Sequence, residues 1–199
     1  MKKIMFNDKY CLTLSVLNGT KTMTRRVLKE GTPLGNWEET VNHLPYKVGE
    51  VVAIAQSYND INNELEEQGD DVSNDWWIPF FEGKVLDTLA GYKNKMFVRS
   101  DFMKHHIKIT DIKVERLQNI SDDDIMREGI YLQHFFNKVE YVFATKGKMN
   151  NTPVYRLKTF PTPREAFAAL IDKISGKGTW EINPWVAAYS FELIKVNEL

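Results

Sequence analysis

Ile107-Lys108-Ile109-Thr110-Asp111-Ile112-Lys113-Val114 reads as an alternation of apolar and polar residues. Side chains of a strand point to opposite faces in turn, so the pattern predicts a half-buried strand, one face on a core and one in water. Such strands belong to antiparallel sheets, whereas parallel sheets are covered on both faces and read as continuous apolar runs. Glu50-Val51-Val52-Ala53-Ile54-Ala55 and Trp185 to Val196 read as further strands. No repeating strand-helix unit links them. That argues against a doubly wound parallel sheet and for an α+β fold built on a small barrel or curled sheet.

Helices are marked by their ends. Thr162-Pro163-Arg164-Glu165 is a capping box with proline at the first helical position. Phe167, Leu170, Ile171 and Ile174 follow at spacings of three and four, an apolar stripe that should pack on a sheet, and Gly176 supplies the stop. A second helix is predicted from Ser121 to Glu128, opened by a serine cap and three aspartates that complement the positive helix end, and closed at Gly129. A third runs from Asp8 to Asn18 and ends at Gly19.

Between Tyr58 and Met96 this order breaks into an acidic stretch, then Trp76-Trp77-Ile78-Pro79-Phe80-Phe81, then a short helix near Val85 to Leu89. So many aromatics are not left in water, so the segment reads as an inserted flap that folds back on the domain. The sequence shows no internal repeat, and one domain over residues 1–199 is expected.

At 199 residues the chain is long enough to bury a core without disulfides or structural metal. With 43% hydrophobic residues it belongs with globular rather than disordered chains. Cys11 is the single cysteine and the four histidines are scattered, so neither a disulfide nor a zinc-ligand spacing exists and no metal is assigned. The polar start, Met1 to Asp8, and the lack of a long apolar run predict a cytoplasmic protein without membrane contact. No Gly-rich phosphate loop or dinucleotide fingerprint is present, which removes ATP and NAD roles and leaves no cofactor. The net charge is -1, but Asp60 to Asp75 holds seven acids and no cation, leaving 26 basic against 20 acidic residues elsewhere. That surplus suits a short nucleic-acid ligand rather than a long duplex.

Gly19-Thr20-Lys21-Thr22-Met23-Thr24-Arg25-Arg26 concentrates hydroxyls and three cations just after a helix stop, a group able to hold an anion. It also reads as an exposed edge strand, because Thr favours strands and Lys and Arg blunt edges. Glu128 stands in the last turn of its helix, facing the negative dipole end at a cost of roughly 0.3 to 1 kcal/mol. A cation should compensate it, Lys21 in one reading and Arg127 in the other. Trp180, Asn183 and Trp185 can form a pocket wall, an aromatic stacking on a base and the amide reading its edge, or they are simply turn and core. Tyr58 is a further wall candidate, and Arg25 and Arg26 are candidates for phosphate.

These residues resemble the ASCH family of the PUA-like superfamily, whose Gly-x-Lys-Thr-x-x-x-Arg signature is matched by Gly19, Lys21, Thr22 and Arg26. Tyr46-Lys47-Val48-Gly49-Glu50-Val51 is similar to the family's turn that precedes a strand. Arg116 to Ser121, Glu128-Gly129 and Gly178 to Trp185 are similar to larger phage and prophage members. Residues 59–95 and 131–160 look like additions and inherit nothing. The resemblance implies a PUA-like small β-barrel with flanking helices and an RNA or modified-nucleoside ligand. It also implies the activity of the small members that resemble amidohydrolases of N-acetylated cytidine, with Lys21, Thr24 and Glu128 as the catalytic set. A ribonuclease is a further enzymatic alternative. Two noncatalytic alternatives stand beside them, an RNA-binding or regulatory module and a phage-encoded protein that uses Trp76 to Phe81 against a host partner. Catalysis carries a geometric condition: Lys21 and Thr24, three apart, point to opposite faces of a regular strand, so a bulge or turn must lie between them. If both faced one pocket, a desolvated Lys21 amine would activate the Thr24 hydroxyl, with Glu128 positioning the ammonium formed.

Overall fold

The computed structural model describes residues 1–67, 84–150 and 152–194. Among them the chain is mixed α/β, with eight strands in two sheets and six α-helices. The strands are β1 (Lys3–Ile4), β2 (Met23–Val27), β3 (Val51–Ile54), β4 (His106–Arg116), β5 (Tyr131–Phe135), β6 (Lys138–Met149), β7 (Thr152–Phe160) and β8 (Trp185–Ile194). The helices are α1 (Leu12–Leu17), α2 (Trp37–His43), α3 (Tyr58–Glu67), α4 (Asp122–Arg127), α5 (Pro163–Ser175) and α6 (Thr179–Ile182). Where one domain is expected from the sequence, the described residues gather into two compact units.

The first unit takes the described parts of Met1–Phe6, Val51–Ile107 and Ile194–Leu199. β1 lies parallel to β3, with Lys3 opposite Ala53 and Ile4 opposite Ile54, and Ile54 N–H donates to the His105 carbonyl. α3 begins with a reciprocal cap: Ser57 N–H donates to Asp60 Oδ2 at 3.2 Å and Asp60 N–H to Ser57 Oγ at 3.1 Å. Tyr58, Ile61 and Leu65 then present one apolar stripe to Ala53, Leu86, Val98 and Met103. The segment expected to be a flap thus contributes a helix and core residues, while Trp76 to Phe81 lie outside the described residues.

The second unit takes Asn7–Glu50 and Lys108–Leu193. β2 pairs antiparallel with β8 in regular register, from Met23 opposite Ser190 to Val27 opposite Val186, and the other neighbour of β8 is β4. β5, β6 and β7 form the separate three-stranded sheet. Its span, Tyr131 to Phe160, coincides with the second stretch that looks like an addition. No strand pairing among the described residues closes a barrel. The predicted apolar stripe of α5 is buried at Phe167, Leu170 and Ile171, and the helix packs on β6 and β7. Its cap forms as read, Glu165 N–H donating to Thr162 Oγ1 at 3.2 Å. α4 is likewise capped by Ser121 and ends at Gly129, whose φ is +99°. The predicted helix from Asp8 to Asn18 is interrupted: a 3₁₀ turn covers Asp8–Tyr10, Cys11 takes φ 55°, and α1 restarts at Leu12.

Candidate functional site

Lys21 sits between α1 and β2, where the left-handed Gly19 turns the chain and Lys21 N–H donates to the Ser15 carbonyl. Its side chain is 2% exposed. Nζ donates to the Glu128 carboxylate and to the Glu128 carbonyl, each at 2.7 Å, across 107 residues of sequence. Glu128 is the C-terminal cap of α4, so the cation that the negative helix end requires is supplied by Lys21 rather than by Arg127. Arg127 instead donates to Thr22 Oγ1 at 3.2 Å and pairs with Asp124.

Arg25 completes the cluster. Its side chain is 0% exposed, and the guanidinium reaches Glu128 Oε1 at 3.1 Å, Glu115 Oε1 at 2.7 Å and Asp124 Oδ2 at 3.0 Å. Burial opposes its charge, but Glu128, Glu115 and Asp124 outweigh that and raise its pKa further. For Lys21 the balance is reversed. Burial, the largest influence, holds its ammonium below the ordinary value against the pull of Glu128, and Arg26 and Arg25 add repulsion in the same direction as burial. Gly129 is required beside this pair, since a Cβ there would lie 3.2 Å from Leu12 Cδ2 and 3.6 Å from Lys21 Cδ on a left-handed backbone.

Thr24 does not join the cluster. No bulge interrupts the register from Met23 to Val27, and Thr24 stands opposite Tyr189 in that ladder. Strand alternation therefore puts Thr24 and Arg26 on one face and Arg25, which shares Glu128 with Lys21, on the other. The condition attached to Lys21–Thr24 catalysis is not met in this arrangement.

Two cavities of the second unit flank Arg26. The larger, about 310 Å³, is lined by Arg25, Arg26, Val27, Ile174, Ser175, Thr179, Ile182 and Pro184. The smaller, about 150 Å³, lies among Arg26, Lys29, Thr32, His43, Leu44, Pro45 and Tyr189. Lys21, Thr24 and Glu128 line neither.

The expected aromatic wall is largely committed to the fold. The Trp180 ring stands edge-on to Phe167 at 6.1 Å, with the Arg164 guanidinium 5.2 Å from its centre. Asn183, left-handed at φ 50°, accepts Gln118 N–H on Oδ1 at 2.8 Å, so its amide oxygen already holds the turn after β4. Trp185 carries Arg116 at 4.8 Å over its ring. Tyr58 belongs to the core of the first unit, 2% exposed, and its hydroxyl accepts Arg99 N–H at 3.1 Å.

Glu115, Asp124 and Asp172 carry roles that the sequence reading missed. Asp124 appeared only as a dipole-complementing acid. Glu115 lay at the end of an alternating strand, where a second acid is an ordinary solvent-facing residue. Asp172 accepts Gly178 N–H at 3.0 Å and Trp180 N–H at 2.9 Å, tying the start of α6 to α5. Those backbone donors hold its carboxyl below the ordinary value.

In comparisons with known proteins, no family model matches the chain, and no curated protein or solved structure gives a significant match. The ASCH resemblance therefore rests on the motif residues themselves.

Proposed function

We propose that this chain binds a nucleotide-sized ligand, an RNA fragment or a modified nucleoside, in the larger cavity beside β2, within a PUA-like variant of the α+β class and in the cytoplasm. The carrying observation is the Lys21–Glu128 pair. It joins the two separate stretches that resemble the ASCH family and anchors the start of the strand from which Arg26 reaches both cavities. A cavity of about 310 Å³ is at the lower end of the size range of small-molecule sites, roughly 300 to 1,000 Å³. Its lining suits such a ligand: Val27, Ile174 and Ile182 offer apolar contact, Ser175 and Thr179 hydroxyls, and Arg26 a guanidinium for a phosphate or carbonyl.

Binding is favoured over hydrolysis because Thr24 turns away from Lys21 and both side chains are buried. One observation favours the amidohydrolase reading: burial lowers the Lys21 pKa, the change a general base requires. Mixing the protein with N-acetylated cytidine, cytidine and a short single-stranded RNA separates these readings. Binding weakened about tenfold by Arg26→Gln, the scale of one charge-assisted hydrogen bond, with no product formed, is the expected result. Product from the acetylated nucleoside that disappears in folded Lys21→Met protein would establish hydrolysis instead. Absence of both binding and product would overturn the proposal.

A further inference from the structure

Lys138 to Phe160 holds five cations and one acid. Lys138 is paired with Glu140 at 2.8 Å. Lys146, Lys148, Arg156 and Lys158 are all exposed and make no ion pair among the described residues. They stand on the ribbon of β6 and β7, where directly opposite residues share a face: Lys146 faces Tyr155 and Ala144 faces Leu157. Alternation adds Lys148 to that face, diagonal to Tyr155, so two lysines of β6 stand beside a tyrosine that is 59% exposed. The root of the ribbon is fixed by Phe143, which stacks on Phe160 at 5.6 Å and meets Tyr10 edge-on at 6.0 Å. The exposed part is therefore carried on an ordered base.

We propose that the β6–β7 ribbon is a docking surface for single-stranded RNA, Tyr155 stacking on an unpaired base while Lys146 and Lys148 hold the adjoining phosphates. An aromatic platform with cations beside it is the arrangement that recognises unpaired strands, because every base offers a face to stack on and the backbone supplies the anions. A second copy of this chain is a poorer occupant. Among the described residues β7 is an edge strand, but Arg156 and Lys158 place like charges along it and oppose edge-to-edge pairing. The surface is separate from the cavity beside β2, and its occupancy does not depend on a ligand there.

The test is fluorescence anisotropy of a labelled 12-nucleotide single-stranded RNA, titrated at several salt concentrations, with Tyr155→Ala and a Lys146→Ala/Lys148→Ala double variant. These side chains are exposed, and thermal melts check that the variants fold. Loss of one stacked base should weaken binding about tenfold or more. Removing two phosphate contacts should make the slope of log K against log salt shallower by about 1.4, at about 0.7 per contact on a single strand. Nucleoside binding at the cavity should persist in both variants. If the wild type binds no nucleoside while the RNA results hold, the cavity reading fails and the ribbon proposal stands. Unchanged affinity and slope in the variants would overturn it. So would equal binding of a duplex of the same length, or a dimer that dissociates on Tyr155→Ala.

Discussion

Glu128 shows how one carboxylate joins distant stretches of sequence. It receives Lys21 on one oxygen and Arg25 on the other, while its own carbonyl takes a second bond from Lys21. All three groups are buried, so removing one partner leaves charge without compensation in a poorly solvated place. Glu128→Gln is expected to destabilise the protein by about 3 to 5 kcal/mol, the range for breaking one side of a buried ion pair, as read in urea unfolding. Loss below 1 kcal/mol would mean that the cluster is solvated. Of these contacts, the need of Glu128 for a cation was legible in the sequence, because the helix dipole requires it wherever the chain goes, and Lys21 was one of the two cations the sequence offered. The convergence of Glu115 and Asp124 on Arg25 was not, since it depends on how β4 and α4 approach β2, and no local pattern encodes that.

Elements whose ends carry strong chemistry were the most legible. α4 and α5 have caps and stops that work within one turn, and both formed where Ser121, Thr162, Gly129 and Gly176 placed them. Thr162→Ala should therefore cost about 1 kcal/mol of stability through loss of the bond to Glu165 N–H, measurable as a fall in the urea midpoint at constant slope. A neutral substitution would show that α5 is held by its apolar face alone. β4 was legible as a strand, but its buried positions shift phase between Ile109 and Ile112, where the sequence reads Thr110-Asp111. α3 was missed because its acids masked the stripe of Tyr58, Ile61 and Leu65, although Ser57-Tyr58-Asn59-Asp60 is a capping box. β5, β6 and β7 fall within the stretch 131–160 that reads as an addition. Mixed lysines and aromatics on both faces of the ribbon give a weak period-two signal, so only pairing reveals the sheet.

Across the whole molecule, several titratable groups are held away from their ordinary pKa values, and they define a pH window of stability. Burial is the largest cause for His106, whose pKa lies below 6.5 in the folded chain. The unfolded chain then binds the proton first, so stability falls as pH drops through 6.5 toward the folded value. Burial raises Cys11 above 9.0 and raises Tyr46, Tyr131 and Tyr189 above 10.0, so the folded chain keeps protons that the unfolded chain loses. These groups lower stability as pH rises beyond 9, while Lys21, with its lowered pKa, works in the opposite direction approaching 10.5. Melting temperatures across pH should peak between about pH 6.5 and 9. His106→Gln should flatten the first part of the acid limb. An unchanged limb would assign the loss to carboxylates instead.

The most direct measurement is a titration of the isotopically labelled protein with cytidine 5′-monophosphate, followed by backbone amide shifts. Binding in the cavity beside β2 predicts saturable shifts concentrated at Arg26, Val27, Ser175, Thr179 and Ile182. Shifts absent from those five amides at saturating nucleotide, or confined to other parts of the chain, would contradict the account.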